Sequence, residues 1–421
     1  MRFRDLLIAG CIALVGPASA AGASPALPSA PSLLASRCRE WAAEPRNPWA
    51  LAHGMVLDGR DFQARDGRPA AEVVVADFLR RVAPSRPSTT DAGATNGTVP
   101  EAVPGNHTGT ADSAMPGAPS TDTAGRIRGA AGAPRTGDLF FDAYAPDGTP
   151  VEPHPALHLK TLLLAGYPLS HRLHAAWGPV TLRELVEDLK RDFRPELASS
   201  PEGAWALDAL SLALKPGATF RDGTGATVRI DAVMEAALVT LESAHAELAA
   251  GLKAGRAEVP KRRQGIYAHP CGGLHFFQAV AGWARHPSVR KAWRKRLDAQ
   301  VDVLLYRLDS ETRQYESALA SAPAHRLAVL VQMLKFHGHL LETLGRYRDD
   351  TGWRPTASQR QTVERARMYL EGTVRRLNEA GAFDHMESLA AKERQLALDL
   401  LGDTCHAAHG EALWSDTGAA R

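Results

Sequence analysis

Residues 49–79 read WALAHGMVLDGRDFQARDGRPAAEVVVADFL, and the same pattern returns at residues 157–190 and 205–238. Each copy has an apolar helix of small residues, a short turn containing Gly or Asp, and a second helix. Units of this size cannot bury an apolar face alone, so they stack helix pair against helix pair. The repeat predicts an all-α fold built from helical hairpins.

Local signals mark where elements begin. TLRE at residues 181–184 and TASQ at residues 356–359 are capping boxes, in which a hydroxyl and a side-chain oxygen satisfy the first backbone N–H groups of a helix. Asp222-Gly223 is a turn signal between Phe220 and the β-branched residues at 227–230. We therefore expect small β-hairpins in the turns between helices.

The second half of the chain continues the alternation with longer helices. Residues 272–284 are apolar and residues 289–319 charged, and the alternation repeats at residues 324–347 and 357–380. This pattern is expected when one helix of each pair lines an inner ring and the other faces water. It resembles the α/α-toroid architecture of many polysaccharide lyases, glycosidases and cyclases. The resemblance implies a toroid-like ring of about five to six helical hairpins, but no activity.

The first twenty residues have the features of a signal peptide. Arg2 and Arg4 precede an apolar stretch, and ASA at residues 18–20 is a small-residue cleavage site. We therefore expect export to the periplasm or the extracellular space. An alternative is acylation of Cys11, which would anchor the protein to lipid. No later run reaches the length of a membrane helix, so we expect no membrane span.

Composition divides the rest of the chain. Residues 21–36 are rich in Ala, Pro and Ser and predict a flexible leader, while residues 84–136 predict a disordered insert because they contain few large apolar side chains. The first helical hairpin of the main domain then covers residues 37–83. The remainder of the helical domain covers residues 137–414, and residues 415–421 form a tail.

The charge balance narrows the class of ligand. The chain has 49 Lys and Arg residues against 47 Asp and Glu residues, a net charge of +2. Nucleic-acid binding needs a strong positive field, so we expect no nucleic-acid partner. A small molecule or a glycan remains as the candidate ligand.

The predicted inner helices share a recurring histidine. If the ends of these helices meet at one mouth, residues far apart in the sequence converge there, and we expect a cavity lined by His and Cys. The histidines concerned are His53, His158, His275, His337, His339, His406 and His409.

Two motifs place a thiol beside imidazoles. HPCGGLH contains Cys271 and His275, and CHAAH contains Cys405, His406 and His409. Sulfur and nitrogen ligands in this combination favour tetrahedral zinc. These five residues are therefore candidate zinc ligands, and a zinc-dependent enzyme is one hypothesis for the function.

Cys271 together with the Cys405-His406 pair resembles the zinc site of lanthionine cyclases. Those enzymes are toroids whose zinc is held by two cysteines and a histidine, which implies zinc here. In that family a glycine follows the Cys-His pair and a tryptophan precedes the first cysteine, whereas this chain has Ala407 and Pro270.

Disulfide formation competes with metal binding for the same sulfurs. After removal of the signal peptide three cysteines remain, Cys38, Cys271 and Cys405. In an oxidising compartment an odd number allows at most one internal disulfide. The sequence leaves open which two are paired.

The first hypothesis for the function is an exported helical-repeat protein that binds a ligand in the cavity lined by His and Cys. A polysaccharide-acting lyase or hydrolase is an alternative function. Lyases need a base and a proton donor, often a histidine and a tyrosine, so His53, His275 and Tyr267 are candidate catalytic residues. A non-catalytic envelope scaffold is a further alternative. A scaffold would fill the centre of the ring with side chains, whereas a binding protein or an enzyme needs convergent polar groups there.

Overall fold

The computed structural model describes residues 29–82, 137–260, 265–268 and 271–415. The predicted signal peptide (1–20) and the predicted insert (84–136) lie outside these ranges, as does the tail beyond residue 415.

The leader predicted over residues 21–36 does not hold for residues 30–36, which begin a helix. Pro31 lies in the first turn of this helix, where proline is tolerated because the backbone N–H has no partner inside the helix. Leu33 and Leu34 are buried in the core. The composition that suggested a leader therefore includes two core leucines.

The described residues form thirteen α-helices and three short two-stranded antiparallel sheets, so the fold is mostly α-helical, as predicted. The helices are α1 (Ala30–Ala42), α2 (Pro48–Asp58), α3 (Ala70–Phe78), α4 (Leu157–Leu164), α5 (Leu182–Asp192), α6 (Ala204–Ala213), α7 (Ile230–Lys253), α8 (Leu274–Trp283), α9 (Pro287–Ser321), α10 (Arg326–Thr351), α11 (Ala357–Glu379), α12 (Met386–Lys392) and α13 (Arg394–Ser415). The strands pair as β1 (Leu79–Arg81) with β2 (Leu139–Phe141), β3 (Arg172–Ala175) with β4 (Gly178–Thr181), and β5 (Thr219–Arg221) with β6 (Thr227–Arg229).

The two predicted capping boxes are confirmed. At α5, the Thr181 hydroxyl accepts from the Glu184 backbone N–H, and the Glu184 carboxylate accepts from the Thr181 N–H. At α11, Thr356 and Gln359 make the same reciprocal pair. Both boxes satisfy backbone donors that the first turn of a helix leaves open.

The helices fall into two kinds by burial. Most residues of α2, α4, α6 and α8 are buried, and these helices are mainly apolar, which is expected of helices surrounded by protein. By contrast, α5 and α11 bury one face and expose charged residues on the other. No helix in the described ranges is both long and apolar enough to cross a membrane.

Six helices pack in a closed circuit. α2 contacts α4, α4 contacts α6, α6 contacts α8, α8 contacts α10, α10 contacts α13, and α13 contacts α2 again. The other helices pack against members of the circuit or against each other: α1 contacts α13 and α2, α3 contacts α2, α5 contacts α4 and α6, and α11 contacts α10. Side chains from all six circuit helices can therefore meet.

The helices α10 and α13 approach closely because small residues face each other. A Cβ at Gly338 would lie 2.7 Å from the Cβ of Ala407, and a Cβ at Gly410 would lie 2.9 Å from the Gly338 carbonyl oxygen. Only glycine leaves room for this contact. The close approach brings the polar residues of α10 against those of α13.

A disulfide joins the first helix to the last. Cys38 in α1 bonds to Cys405 in α13, with the two Cα atoms 4.9 Å apart and 367 positions between the residues in sequence. Both cysteines are fully buried. The pairing left open by the sequence is therefore Cys38 with Cys405, and Cys271 is not part of it.

Replacing both Cys38 and Cys405 by serine should lower the free energy of unfolding by about 2–4 kcal/mol, because the disulfide closes a very long loop in the unfolded chain. Urea unfolding followed by circular dichroism measures this change. Cys271→Ser, which leaves the disulfide intact, is the control. An unchanged urea midpoint in the double variant would show that this bond does not support the fold.

Candidate functional site

Every helix of the circuit contributes a buried ionisable side chain to one polar cluster. We call this set the central cluster, and all of its members are buried. The members are His53 from α2, Lys160 from α4, Asp208 from α6, His275 from α8, His339 and Glu342 from α10, and His406 from α13.

Four imidazoles of the central cluster lie in contact. The ring centroids of His339 and His406 are 4.1 Å apart, and His275 lies 4.9 Å from His339 and 5.2 Å from His406. His53 lies 5.2 Å from His406. Residues more than 350 positions apart in sequence thus meet at one place.

Two of the predicted inner histidines lie elsewhere. His158 points a ring nitrogen at the carbonyl oxygen of Val151 and packs on Phe141. His337 hydrogen-bonds to the hydroxyl of Thr312. Each is a core histidine with a local partner, so neither belongs to the central cluster.

Hydrogen bonds fix the orientation of the four clustered imidazoles. In each ring Nδ1 lies 2.8–3.1 Å from an oxygen. For His53, His275, His339 and His406, these oxygens belong respectively to the Trp49 carbonyl, the Gln278 side chain, the Lys335 carbonyl and the Glu342 carboxylate. A carbonyl or carboxylate oxygen only accepts, so Nδ1 carries the proton and Nε2 of the neutral ring carries a lone pair.

Burial keeps three of these imidazoles neutral, those of His53, His275 and His339. It lowers their pKa values well below the ordinary value. Neighbouring positive charge adds to the effect, from Lys160 at His275 and from His406 at the other two. Neutral imidazoles with Nδ1 protonated are the form in which histidine binds metals through Nε2.

Cys271 joins two of the imidazoles in a possible metal site. Its sulfur and one ring nitrogen each from His275 and His339 all lie within 4.8 Å of one another. Gly272 and Gly273 follow in left-handed conformation, at φ of 55° and 76°, and turn the chain into α8. This turn places Cys271 and His275 on the same side of the start of α8.

Burial raises the pKa of the Cys271 thiol to about 12, and the nearby Lys335 ammonium only partly opposes this shift. A thiolate therefore forms here only when a further cation joins it. This argues against an activated cysteine nucleophile, which needs a lowered pKa.

The zinc set predicted from the sequence needs correction. Cys405 is not a candidate ligand, because its sulfur is bonded to Cys38. His406 and His409 instead direct Nδ1 at the two oxygens of Glu342, at 2.8 and 2.9 Å. Cys271 and His275 remain together.

The third member of the possible metal site is His339, which the sequence placed only among the inner histidines. His337 and His339 stand two positions apart in α10, and their side chains therefore point in roughly opposite directions. The sequence gives no sign of which of the two faces the centre.

Glu342 connects three helices. Its Oε2 lies 2.8 Å from His406 Nδ1 and accepts from Gln278 Nε2 at 3.2 Å, while its Oε1 lies 2.9 Å from His409 Nδ1. Burial by itself would raise the pKa of Glu342, but the charges and hydrogen bonds of His406 and His409 hold it well below the ordinary value. The carboxylate is therefore ionised in the core.

Two further ion pairs border the cluster. Arg346 Nη2 lies 3.1 Å from both carboxylate oxygens of Asp208, and its Nη1 donates to Gln278 Oε1 at 2.8 Å. Lys335 Nζ lies 3.5 Å from Asp399 and 3.7 Å from Asp403. These cations have carboxylate partners of their own.

The predicted catalytic set is divided by the structure. His53 and His275 lie in the central cluster. The ring of Tyr267 instead lies beside His245, and its centroid is 5.0 Å from the Arg307 guanidinium carbon. Burial raises the pKa of Tyr267 to about 12. Tyr267 is therefore not placed as the proton donor to those two histidines.

Comparison with known proteins gives no assignment: no family model, no curated protein and no solved structure matches the chain.

Glu342→Gln should lower the free energy of unfolding at pH 7 by about 1.5–3 kcal/mol, because the amide N–H₂ would face a histidine N–H donor in the core. Since the pKa of Glu342 is lowered, its contribution is present above the ordinary value of 4.5 and is lost as the pH falls towards the pKa of the folded state. Urea unfolding of metal-free protein at pH 7 and pH 4 measures both effects. Glu187→Gln, at a half-exposed carboxylate paired with Lys190, is the control.

If Glu342→Gln and the wild type unfold at the same urea concentration at pH 7, the carboxylate does not hold the three helices together.

Proposed function

We propose that the chain is an exported, zinc-dependent enzyme whose metal is bound by Cys271, His275 and His339. The observation that carries this proposal is the convergence of one sulfur and two imidazole nitrogens within 4.8 Å. Three protein ligands leave a fourth tetrahedral position for water or substrate, which is typical of catalytic rather than structural zinc.

The surroundings of the three residues fit zinc. Sulfur and imidazole are ligands that zinc prefers. Nδ1 of His275 and of His339 is already held by an oxygen, which is the second-shell contact that metal-binding histidines make. When bound, zinc supplies Lewis-acid chemistry, polarising a carbonyl or phosphoryl oxygen and activating water.

The proposal includes an α/α-toroid as the architecture. Its support is the closed circuit of α2, α4, α6, α8, α10 and α13, together with the polar residues that all six direct to one place. An inner ring of helices around a polar centre is what the repeat pattern predicts.

Export is supported by the disulfide. The bond between Cys38 and Cys405 is of a kind that persists in oxidising compartments and is rare in the cytosol. Together with the signal peptide predicted at residues 1–20, it favours the periplasm or the extracellular space.

Two of the other hypotheses have less support. A polysaccharide lyase of the His and Tyr type needs a proton donor at the site, and Tyr267 lies beside Arg307 instead. A scaffold needs no convergent ionisable groups at the centre, and this centre has seven. The polar centre therefore favours an enzyme or a ligand-binding protein.

The metal-free protein should bind one Co²⁺ or Zn²⁺ per chain. Cobalt bound to a thiolate absorbs in the near ultraviolet, so a spectroscopic titration shows both the stoichiometry and the presence of sulfur. Cys271→Ser should remove the thiolate absorption, and His275→Gln or His339→Gln should abolish stoichiometric binding.

His337→Gln is the matched control, because His337 lies on the same helix as His339 but contacts Thr312. Stoichiometric binding that survives all three site variants, or a wild type that binds no metal, would overturn the proposed function.

A further inference from the structure

Lys160 is a buried ammonium group with an unusual lack of partners. Its residue is only 3% exposed, and its Nζ makes no hydrogen bond to any described residue. Within the described part of the chain the one carboxylate in ion-pair range is Asp208, at 3.9 Å. An ammonium has three donors, and leaving them without acceptors in the core is costly.

Asp208 does not compensate Lys160 fully, because it is already bound by Arg346. The guanidinium lies 3.1 Å from both Asp208 oxygens, within hydrogen-bond distance, whereas Lys160 is too far for one. Within ion-pair distance one carboxylate, Asp208, therefore serves two cations, and the ionised Glu342 acts on Lys160 only through its charge. The three N–H donors of Lys160 are available to another anion.

Lys335, the other buried lysine near the central cluster, has carboxylate partners of its own. Lys335 lies between the two carboxylates of Asp399 and Asp403. Its charge is accounted for by these partners, so Lys160 is the cation in the central cluster that best fits an added anion.

A chain of contacts connects Lys160 to the proposed zinc ligands. Asp208, 3.9 Å from Lys160 Nζ, is bound by Arg346. Arg346 donates to the same Gln278 oxygen that lies 3.1 Å from His275 Nδ1.

After burial, the charge of Lys160 is the largest cause of the lowered pKa of His275, and it also opposes the raised pKa of the Cys271 thiol. A zinc ion with one thiolate and two neutral imidazoles has a net charge of +1. An anion between this centre and Lys160 would meet positive charge on both sides.

We propose that Lys160 binds an anionic oxygen of the substrate beside the zinc site, and that the substrate is accordingly a carboxylate or a phosphate. This inference rests on the proposed function, because it places the substrate next to the metal. Lys160 binds and orients the anionic group, while the open position on the metal faces the group that reacts.

The test uses the cobalt-loaded protein with acetate or inorganic phosphate as the probe. Binding of either anion near the metal changes the visible cobalt spectrum, so a titration gives its dissociation constant. Lys160→Met, which keeps the length and the apolar stem of the side chain, should weaken binding at least about tenfold, as expected for the loss of a charged hydrogen bond. Lys160→Arg should bind within about threefold of the wild type.

Lys253→Met is the matched control, because Lys253 is exposed at the end of α7 and lies outside the central cluster. Circular dichroism and cobalt stoichiometry establish that each variant is folded and loaded. Tighter binding of acetate favours a carboxylate substrate, and tighter binding of inorganic phosphate favours a phosphate.

The failure of this inference and the failure of the proposed function have different signatures. Cobalt binding with no anion effect, or with equal anion affinity in wild type and Lys160→Met, overturns the role of Lys160 alone. Absence of cobalt binding overturns the zinc site. In that case the thermal unfolding midpoint of the metal-free protein is measured with and without phosphate. If phosphate raises the midpoint of the wild type but not of Lys160→Met, anion binding by Lys160 is supported. If phosphate acts equally on both proteins, or on neither, anion binding by Lys160 is overturned.

Discussion

The ionised carboxylate of Glu342 is the constraint on which the centre of this protein depends. A buried carboxylate is tolerated only when its oxygens have donors, and Glu342 has three, from His406, His409 and Gln278. These donors come from α13 and α8, while Glu342 itself comes from α10. One side chain thus fixes the relative positions of three neighbouring helices. Two of them, α8 and α10, carry the proposed zinc ligands His275 and His339.

The close contact of α10 with α13 serves the same arrangement. Because glycine at positions 338 and 410 lets the backbones approach, His406 comes within hydrogen-bond reach of Glu342 and its ring lies against that of His339. The disulfide ties α13 to α1 one residue before His406. Packing, covalent linkage and hydrogen bonding therefore all act on the same turn of α13.

The sequence predicted well what depends on local pattern. The capping boxes at Thr181 and Thr356 and the hairpin around Asp222 follow from side chains adjacent in the chain, and the structure has them. The prediction failed where the direction of a side chain decides the outcome. Residues 337 and 339 differ by about half a turn of helix, and only the packing of α10 shows that the second faces the centre. Lys160 gave no signal, since one lysine in an apolar helix indicates nothing about its partners.

The composition of the centre is itself an argument for function. Replacing buried ion pairs by apolar side chains of similar volume is often neutral or stabilising, so stability alone does not require them. A helical core of this size could fill its middle with apolar side chains, as the rest of this core does. Here four imidazoles each keep Nδ1 bound to an oxygen, a thiol lies beside two of them, and an ammonium lacks hydrogen bonds to the described residues. Lone pairs and a positive charge left in one place are what a metal ion and an anion together would satisfy.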